Sequence, residues 1–384
     1  MIRNRRWFHA HPELSFQEVK TAEYVAKELR SYGITELWEQ VGRTGIVAMI
    51  RGSQPGPTIA LRADMDALPI QETGDCPFIS QNPGVQHACG HDGHMSILLG
   101  AAKVLYSLRD KLHGNVKLLF QPAEEGFGGA REMIKDGCLT DKFGTNVDAV
   151  YGAHLWSYDK VGKIGARHGP MMAASDKFEI DVLGKGGHGA APESTVDAVV
   201  VAANVVTALQ TVVSRNISPL EAGVVTCGTI NGGFGYNIIA DKVTITGTCR
   251  SFTKETQNTI EQRMNGICCG LGSAYNANIN LHYHYGYPPT INRDSQSVDR
   301  LHASARKIVG KENTGVPYIT CGAEDFSYFL EAKPGCFFFI GAGLPGELRP
   351  HHKSIFDFDE ASLEIGASVF VQLIEDLLIT QEKL

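Results

Sequence analysis

The apolar positions Val19, Ala22, Ala26 and Leu29 recur every three to four residues up to Gly33, which predicts an amphipathic helix. Ser15, followed three residues later by Glu18, predicts a capping box at its start. Short apolar runs at 45–50, 58–62, 116–120 and 147–153 read as strands, with a helical stretch at 95–108 among them. This alternation predicts an α/β sheet. Asp64, Gln121 and His154 are expected just past the ends of these runs, where open α/β sheets place their ligand sites.

From about residue 171 the pattern changes. A strand at 178–183, a helix at 195–213, strands at 223–229 and 242–249, a helix at 254–271 and a strand at 277–285 follow in order. That order, β-α-β-β-α-β, is the ferredoxin-like unit, and it is long enough to be a domain of its own. After about residue 287 the α/β pattern resumes. The expected organisation is therefore one discontinuous domain, 1–170 with 287–384, carrying an inserted domain at 171–286.

Length agrees, since a chain of 384 residues exceeds the size at which one core usually stops growing. The net charge of -7 leaves no basic footprint for a phosphate backbone, which argues against nucleic acid as a ligand. Nine cysteines, with Cys268 and Cys269 adjacent, do not make a disulfide scaffold, so a reducing, cytoplasmic setting is expected. The opening residues carry no apolar stretch after their basic side chains, and no run of about eighteen apolar residues occurs. Neither a signal peptide nor contact with a membrane is expected.

The densest chemical cluster is Cys89-Gly90-His91-Asp92-Gly93-His94. A thiolate and an imidazole two residues apart can reach one metal ion, because sulfur and nitrogen donors both suit zinc and its first-row neighbours. A buried cysteine beside helix-capping groups would give the same stretch. In Gln121-Pro122-Ala123-Glu124-Glu125-Gly126, two adjacent carboxylates repel unless a cation lies beside them. A metal would bind one and leave the other as a base; the alternative is a solvated acidic turn. His154 and the pair His351-His352 complete the candidates, though a lone histidine is often only a satisfied polar group. Jointly, Cys89, His91, Glu125, His154 and His352 are five donors, more than one catalytic zinc takes from protein, and point to two metals. Asp66 can orient a histidine ligand from behind, or form an Asx turn before Pro69. Downstream, His188 lies among glycines at a strand end, while Asn237 and Arg250 can supply an amide and a guanidinium to a carboxylate. Taken alone, each of these three reads first as a plain turn or surface residue.

Together the stretches ADMDALP from Ala63, CGHDGH from Cys89, QPAEEG from Gln121, GKGGHGAAP from Gly184, GAEDF from Gly322 and HHKSIFDFDE from His351 resemble the amidohydrolase branch of the aminoacylase and carboxypeptidase metallopeptidases. The resemblance covers nearly the whole chain from His9 onward. It implies a catalytic α/β domain with an inserted ferredoxin-like lid that mediates homodimerisation. It implies two divalent metals held by Cys89, His91, Glu125, His154 and His352, with zinc favoured and manganese, cobalt or nickel as alternatives. Glu124 would be the general base, Asp66 a supporting residue, and His188, of the same chain or of the partner subunit, a holder of the carbonyl oxygen. Asn237 and Arg250 would contact substrate. His352 is preferred to His351 because it lies four residues before Phe356, as in the family motif. The branch places Asp64 where the wider clan has a metal-binding histidine, and the chain begins unusually close to its HAHPEL stretch, which implies an absent upstream helix. The expected reaction is hydrolysis of a small N-acyl-amino acid of N-acetyl, N-benzoyl or indoleacetyl type. A dipeptidase or carboxypeptidase with the same chemistry, and a non-catalytic ligand-binding relative, are the alternatives.

Overall fold

The structure, a computed structural model, describes residues 1–380, and these divide into two compact units. The first comprises Met1–Met171, Ile291–Tyr318 and the described residues from Asp325 onward, and the second Met172–Thr290 with Ile319–Glu324.

In chain order the first unit opens with helices α1 (Ile2–Ala10) and α2 (Val19–Ser31) and strands β1 (Leu37–Val41), β2 (Gly45–Arg51) and β3 (Gln54–Asp64). Helix α3 (His91–Ser107), strand β4 (His113–Gln121), helix α4 (Gly129–Asp136) and strand β5 (Ala149–Lys160) follow. The sheet runs β1-β2-β4-β3-β5 and continues through the strands Gly335–Gly343, Ile164–Gly165 and Thr314–Gly315. Its centre, β4-β3-β5 and Gly335–Gly343, is parallel. The sheet interior is continuous with Leu98, Leu99 and Leu105 of α3 and with Phe370 and Leu373 of the C-terminal helix Ala361–Leu378. Burial of both sheet faces explains why these strands read as unbroken apolar runs.

Two local expectations are corrected. Ser15 and Glu18 form no capping box: Glu18 is the N-cap of α2 but its side chain makes no cap bond. Ser15 instead donates to Asp66 at 2.6 Å, and Glu18 accepts the Ala123 amide at 2.9 Å, so long-range bonds displaced the local ones. Nor does His154 follow a strand. Asp64 and Gln121 are the last residues of β3 and β4, but β5 continues six residues beyond His154, pairing His154 with Phe339.

The second unit holds a four-stranded antiparallel sheet of Ser175–Leu183, Gly223–Gly232, Lys242–Ser251 and Asn278–Tyr287. Its spatial order is second, third, first, fourth, with helices Ala198–Asn216 and Lys254–Tyr275 between the strands in sequence. This is the βαββαβ pattern. Helix Ala198–Asn216 is apolar and long enough to cross a membrane by length and composition alone. In this unit its stripe Val201, Val205, Leu209 and Val212 is buried in the core with Phe178, Ile180 and Ile245.

Candidate metal centre

The parallel centre of the sheet brings three chain segments to one place. Asp64 ends β3 and pairs with Gln121 at the end of β4, so the loops carrying Asp66 and Glu124-Glu125 leave the sheet side by side. Asp66 joins them, its two carboxylate oxygens accepting the Glu124 and Glu125 amides at 3.0 Å each. It therefore positions the acidic loop and forms no simple Asx turn. Ala123, just before the pair, sits at φ 53°, a left-handed conformation that costs a non-glycine residue energy and is held by the surrounding bonds.

Cys89 and His91 flank Gly90, which is the N-cap of α3 at φ 91°. Glycine meets that backbone without penalty, so the thiol and the first imidazole of the helix can point into the same space. Cys89, His91 and His154 form one triad of donors and Cys89, Glu125 and His352 another, the donor atoms of each lying within 4.8 Å of one another. Cys89 is common to both. His352, at φ 60°, is the more exposed member; its Nε2 stands 3.4 Å from Glu125 Oε1.

Hydrogen bonding sets the tautomers. His91 donates Nδ1–H to the Asp66 carbonyl at 2.7 Å, and His154 donates Nδ1–H to the Leu155 carbonyl at 2.6 Å. In its neutral form each ring therefore carries its lone pair on Nε2, the usual preparation of a histidine ligand. His91 Nε2 and Glu125 Oε1 are buried without a hydrogen-bond partner among the described residues. Buried polar atoms without partners are rare, and a cation between them would satisfy both. His94, in the same motif, is different: Nδ1 bonds Asp64 at 2.6 Å and Nε2 accepts the Leu155 amide at 2.8 Å. Both its nitrogens are occupied, so it supports the site and offers no donor.

Sequence reading missed the ionic base of the site. Arg62, fully buried, donates to Asp64 at 2.8 Å, to Gln121 at 2.7 Å and to Asp325 at 3.1 Å. Asp325 also accepts from Gln121 and from the Ala130 amide, while its own amide faces Glu124 Oε1 at 3.4 Å. The GAEDF stretch was visible in sequence, but nothing local linked it to Arg62. Burial opposes ionisation of Asp64, yet Arg62, His91 and His94 hold its carboxyl well below the usual range. Burial likewise works against a charged His91, but Asp64, Asp66 and Glu125 outweigh it and raise its pKa to about 10.

His188, Asn237 and Arg250 belong to the second unit. His188 and Asn237 are exposed neighbours: His188 pairs with Ile238, and the Gly189 amide donates to the Asn237 carbonyl at 2.8 Å. His188 Nδ1 accepts the Ala190 amide at 3.0 Å, which leaves its Nε2–H outward as a donor. Arg250 stands apart from them, eight residues along its strand from Lys242, or roughly 26 Å, donating to the carbonyls of Cys249 and Cys321.

Residues 60–376 match the profile of Peptidase family M20/M25/M40. An N-acyl-L-amino acid amidohydrolase of Geobacillus stearothermophilus is 49% identical over 76% of this chain and 77% of its own length. An N-acetyl-L-cysteine deacetylase of Bacillus subtilis is 40% identical over 97% of this chain and 86% of its own. Among solved structures, the Bacillus subtilis YXEP protein, described as a dinuclear metal binding peptidase, superposes with a TM-score of 0.85 at 33% identity, covering 98% of this chain and 97% of that one.

Proposed function

The chain belongs to peptidase family M20/M25/M40 and is a hydrolase of amide bonds, and we propose that its substrates are small N-acyl-amino acids. An N-acetyl, N-benzoyl or indoleacetyl amino acid would be cleaved to a carboxylic acid and a free amino acid. The observation that carries this reading is the pair of donor triads sharing Cys89, with Glu124 beside them. Their lone pairs and orphaned oxygen fit two divalent ions, held by Cys89, His91, Glu125, His154 and His352. A thiolate among nitrogen and oxygen donors favours zinc, with manganese, cobalt and nickel as alternatives. Such ions would supply polarisation of the scissile carbonyl and acidification of water.

The residues supply the rest. Glu124 accepts the proton of the attacking water as its oxygen bonds to the amide carbon, and returns that proton to the nitrogen as the C–N bond breaks. Asp66 and the Asp325 amide hold Glu124 for both transfers. His188, offered by the partner subunit of a homodimer with Asn237 beside it, would steady the carbonyl oxygen, and Arg250, which stands apart from both, would engage the carboxylate. Two features support a homodimer formed through the second unit. Val199 and Val200 are exposed on its first helix, and Gly223–Gly232 is an edge strand with a partner on one side only among the described residues. A composition of nine cysteines, an odd number with Cys268 and Cys269 adjacent, supports a reducing, cytoplasmic setting.

The test is release of free amino acid from N-acetyl-, N-benzoyl- and indoleacetyl-amino acids and from dipeptides. Protein is assayed as purified, after chelation, and after return of zinc, manganese or cobalt. Chelator-sensitive release from the acylated substrates is expected. Release from dipeptides alone would make it a dipeptidase, and none from any folded, metal-loaded sample would end the amidohydrolase reading.

A further inference from the structure

Strand β5 does not stop at its metal donor. The rings of His154, Trp156 and Tyr158 lie together along it, 5.9 Å between the first two centroids and 5.2 Å between the last two. His351 bridges all three, its ring centroid 5.3 Å from that of His154, 5.2 Å from Trp156 and 5.6 Å from Tyr158. Trp156 is fixed from behind by stacking on Phe339, at 4.3 Å between centroids and 13° between planes. Its indole N–H donates to the Tyr318 hydroxyl at 3.0 Å, which ties the end of a separate chain segment to the strand. The outcome is a rigid aromatic ledge that starts at the metal donors. Trp156 is 7% exposed, whereas Tyr158 is 46% and Tyr318 54% exposed.

Exposed tyrosine rings locked by a buried tryptophan lose little entropy on contact and present flat π-faces with hydroxyls at the edge. The chemistry they match is a planar aromatic group, stacked on the rings, and not an alkyl chain or a bare charge. We propose that Tyr158 and Tyr318, backed by Trp156, form the specificity surface for an aromatic group attached next to the scissile amide. The inference rests on the N-acyl-amino acid reading above. That ring can reach the ledge from the acyl side or from the amino-acid side, since either flanks the bond being cleaved.

Three substrates separate the cases: N-acetylalanine, N-benzoylalanine and N-acetylphenylalanine. In the native protein one aromatic substrate should exceed N-acetylalanine in kcat/KM, and the one that does identifies the side. Tyr158→Ala should lower that ratio about tenfold, as loss of a stacking wall does, while Tyr158→Phe retains it. Calorimetric titration of the metal-loaded protein with benzoate and with phenylalanine gives a readout independent of turnover. The Kd of one of them should weaken about tenfold in Tyr158→Ala. Hydrolysis of all three substrates with a ratio unmoved by Tyr158→Ala would overturn the ledge and leave the amidohydrolase standing. Absence of hydrolysis with Tyr158-dependent binding intact would overturn the reaction and leave the ledge. Binding of neither ligand, or binding indifferent to Tyr158, would overturn the ledge in either case. Metal content and Tm measured on each variant exclude misfolding as the cause.

Discussion

Cys89 Sγ and His154 Nε2 stand 3.5 Å apart in a buried pocket, and the same sulfur also belongs to the group with Glu125 and His352. Sharing one donor couples the two candidate metal positions. Cys89→Ala should therefore lower metal content at both, whereas His352→Ala, altering the exposed end of one triad, should mainly lower one. Elemental analysis of the purified variants after dialysis checks this. Equal losses in the two variants would show that Cys89 is not the shared donor.

Glu124 lies next to Glu125 but is held differently, with Asp66 on its amide and the Asp325 amide facing its carboxylate. Glu124→Gln keeps the shape and removes the base. Turnover should fall about two to four orders of magnitude, the usual range for a lost general base, with metal content retained. Steady-state kinetics paired with elemental analysis read both quantities, and unchanged kcat would remove Glu124 from the chemistry.

His91 binds a proton up to a pKa of about 10, because Asp64, Asp66 and Glu125 together outweigh the burial that opposes its charge. A metal at Nε2 must displace that proton. At pH 7 the metal-free His91 is thus protonated, and binding should release at least that one proton and weaken as pH falls. Titration calorimetry in buffers of different ionisation enthalpy measures the number directly. Zero proton release would mean that His91 enters the complex already neutral.

Glu18 carries the opposite perturbation for a carboxylate. Burial first, then the charge of Asp66, raise it from 4.5 to about 7, against the bonds from Thr44 and Ala123. Between these two values the folded protein holds a proton that the unfolded chain has lost. Stability should therefore fall as pH climbs from about 4.5 to about 7, by at most about 3 kcal/mol for a shift of that size. Urea unfolding of the chelated protein across this range should show that slope, and Glu18→Gln should flatten it. Parallel profiles for the two proteins would refute the assignment.

What could be read from the sequence was what repeats locally. The strands announced themselves because both faces of the sheet are buried, and the donor motifs because Cys89, His91, Glu124 and Glu125 fall in short contiguous stretches. Strand β1 escaped notice because it has no regular alternation: Leu37 and Trp38 are half-buried, Glu39 and Gln40 exposed, and Val41 buried. The capping box failed because Ser15 and Glu18 spend their oxygens on partners 51 and 105 residues away. His91 and His94 are the same residue type one helical turn apart, and only the partners of their nitrogens separate a donor from a support. Arg250 carries the right chemistry for a carboxylate, yet its place relative to Asn237 depends on strand register, which no motif states.

The contact between Arg62 and Asp325 spans 263 residues of sequence and lies wholly inside the protein. Asp325→Ala would take a carboxylate from Arg62, which keeps its bond to Asp64, and would strip an acceptor from Gln121 and the Ala130 amide. Removing one member of a buried ionic group typically costs about 3–5 kcal/mol, because the other charge is stranded in a poor solvent. Arg62→Met alone should cost a similar amount by stranding the two aspartates. If the penalty is stranded charge, the double variant should be more stable than the sum of the single losses predicts. A lost packing contact would add with no such recovery, so urea unfolding of the four proteins distinguishes the causes. Asp325 also touches Glu124 through its backbone, which the substitution retains. Activity remaining in folded Asp325→Ala should thus exceed that of Glu124→Gln; the reverse order would mean that the Asp325 side chain takes part in the chemistry itself.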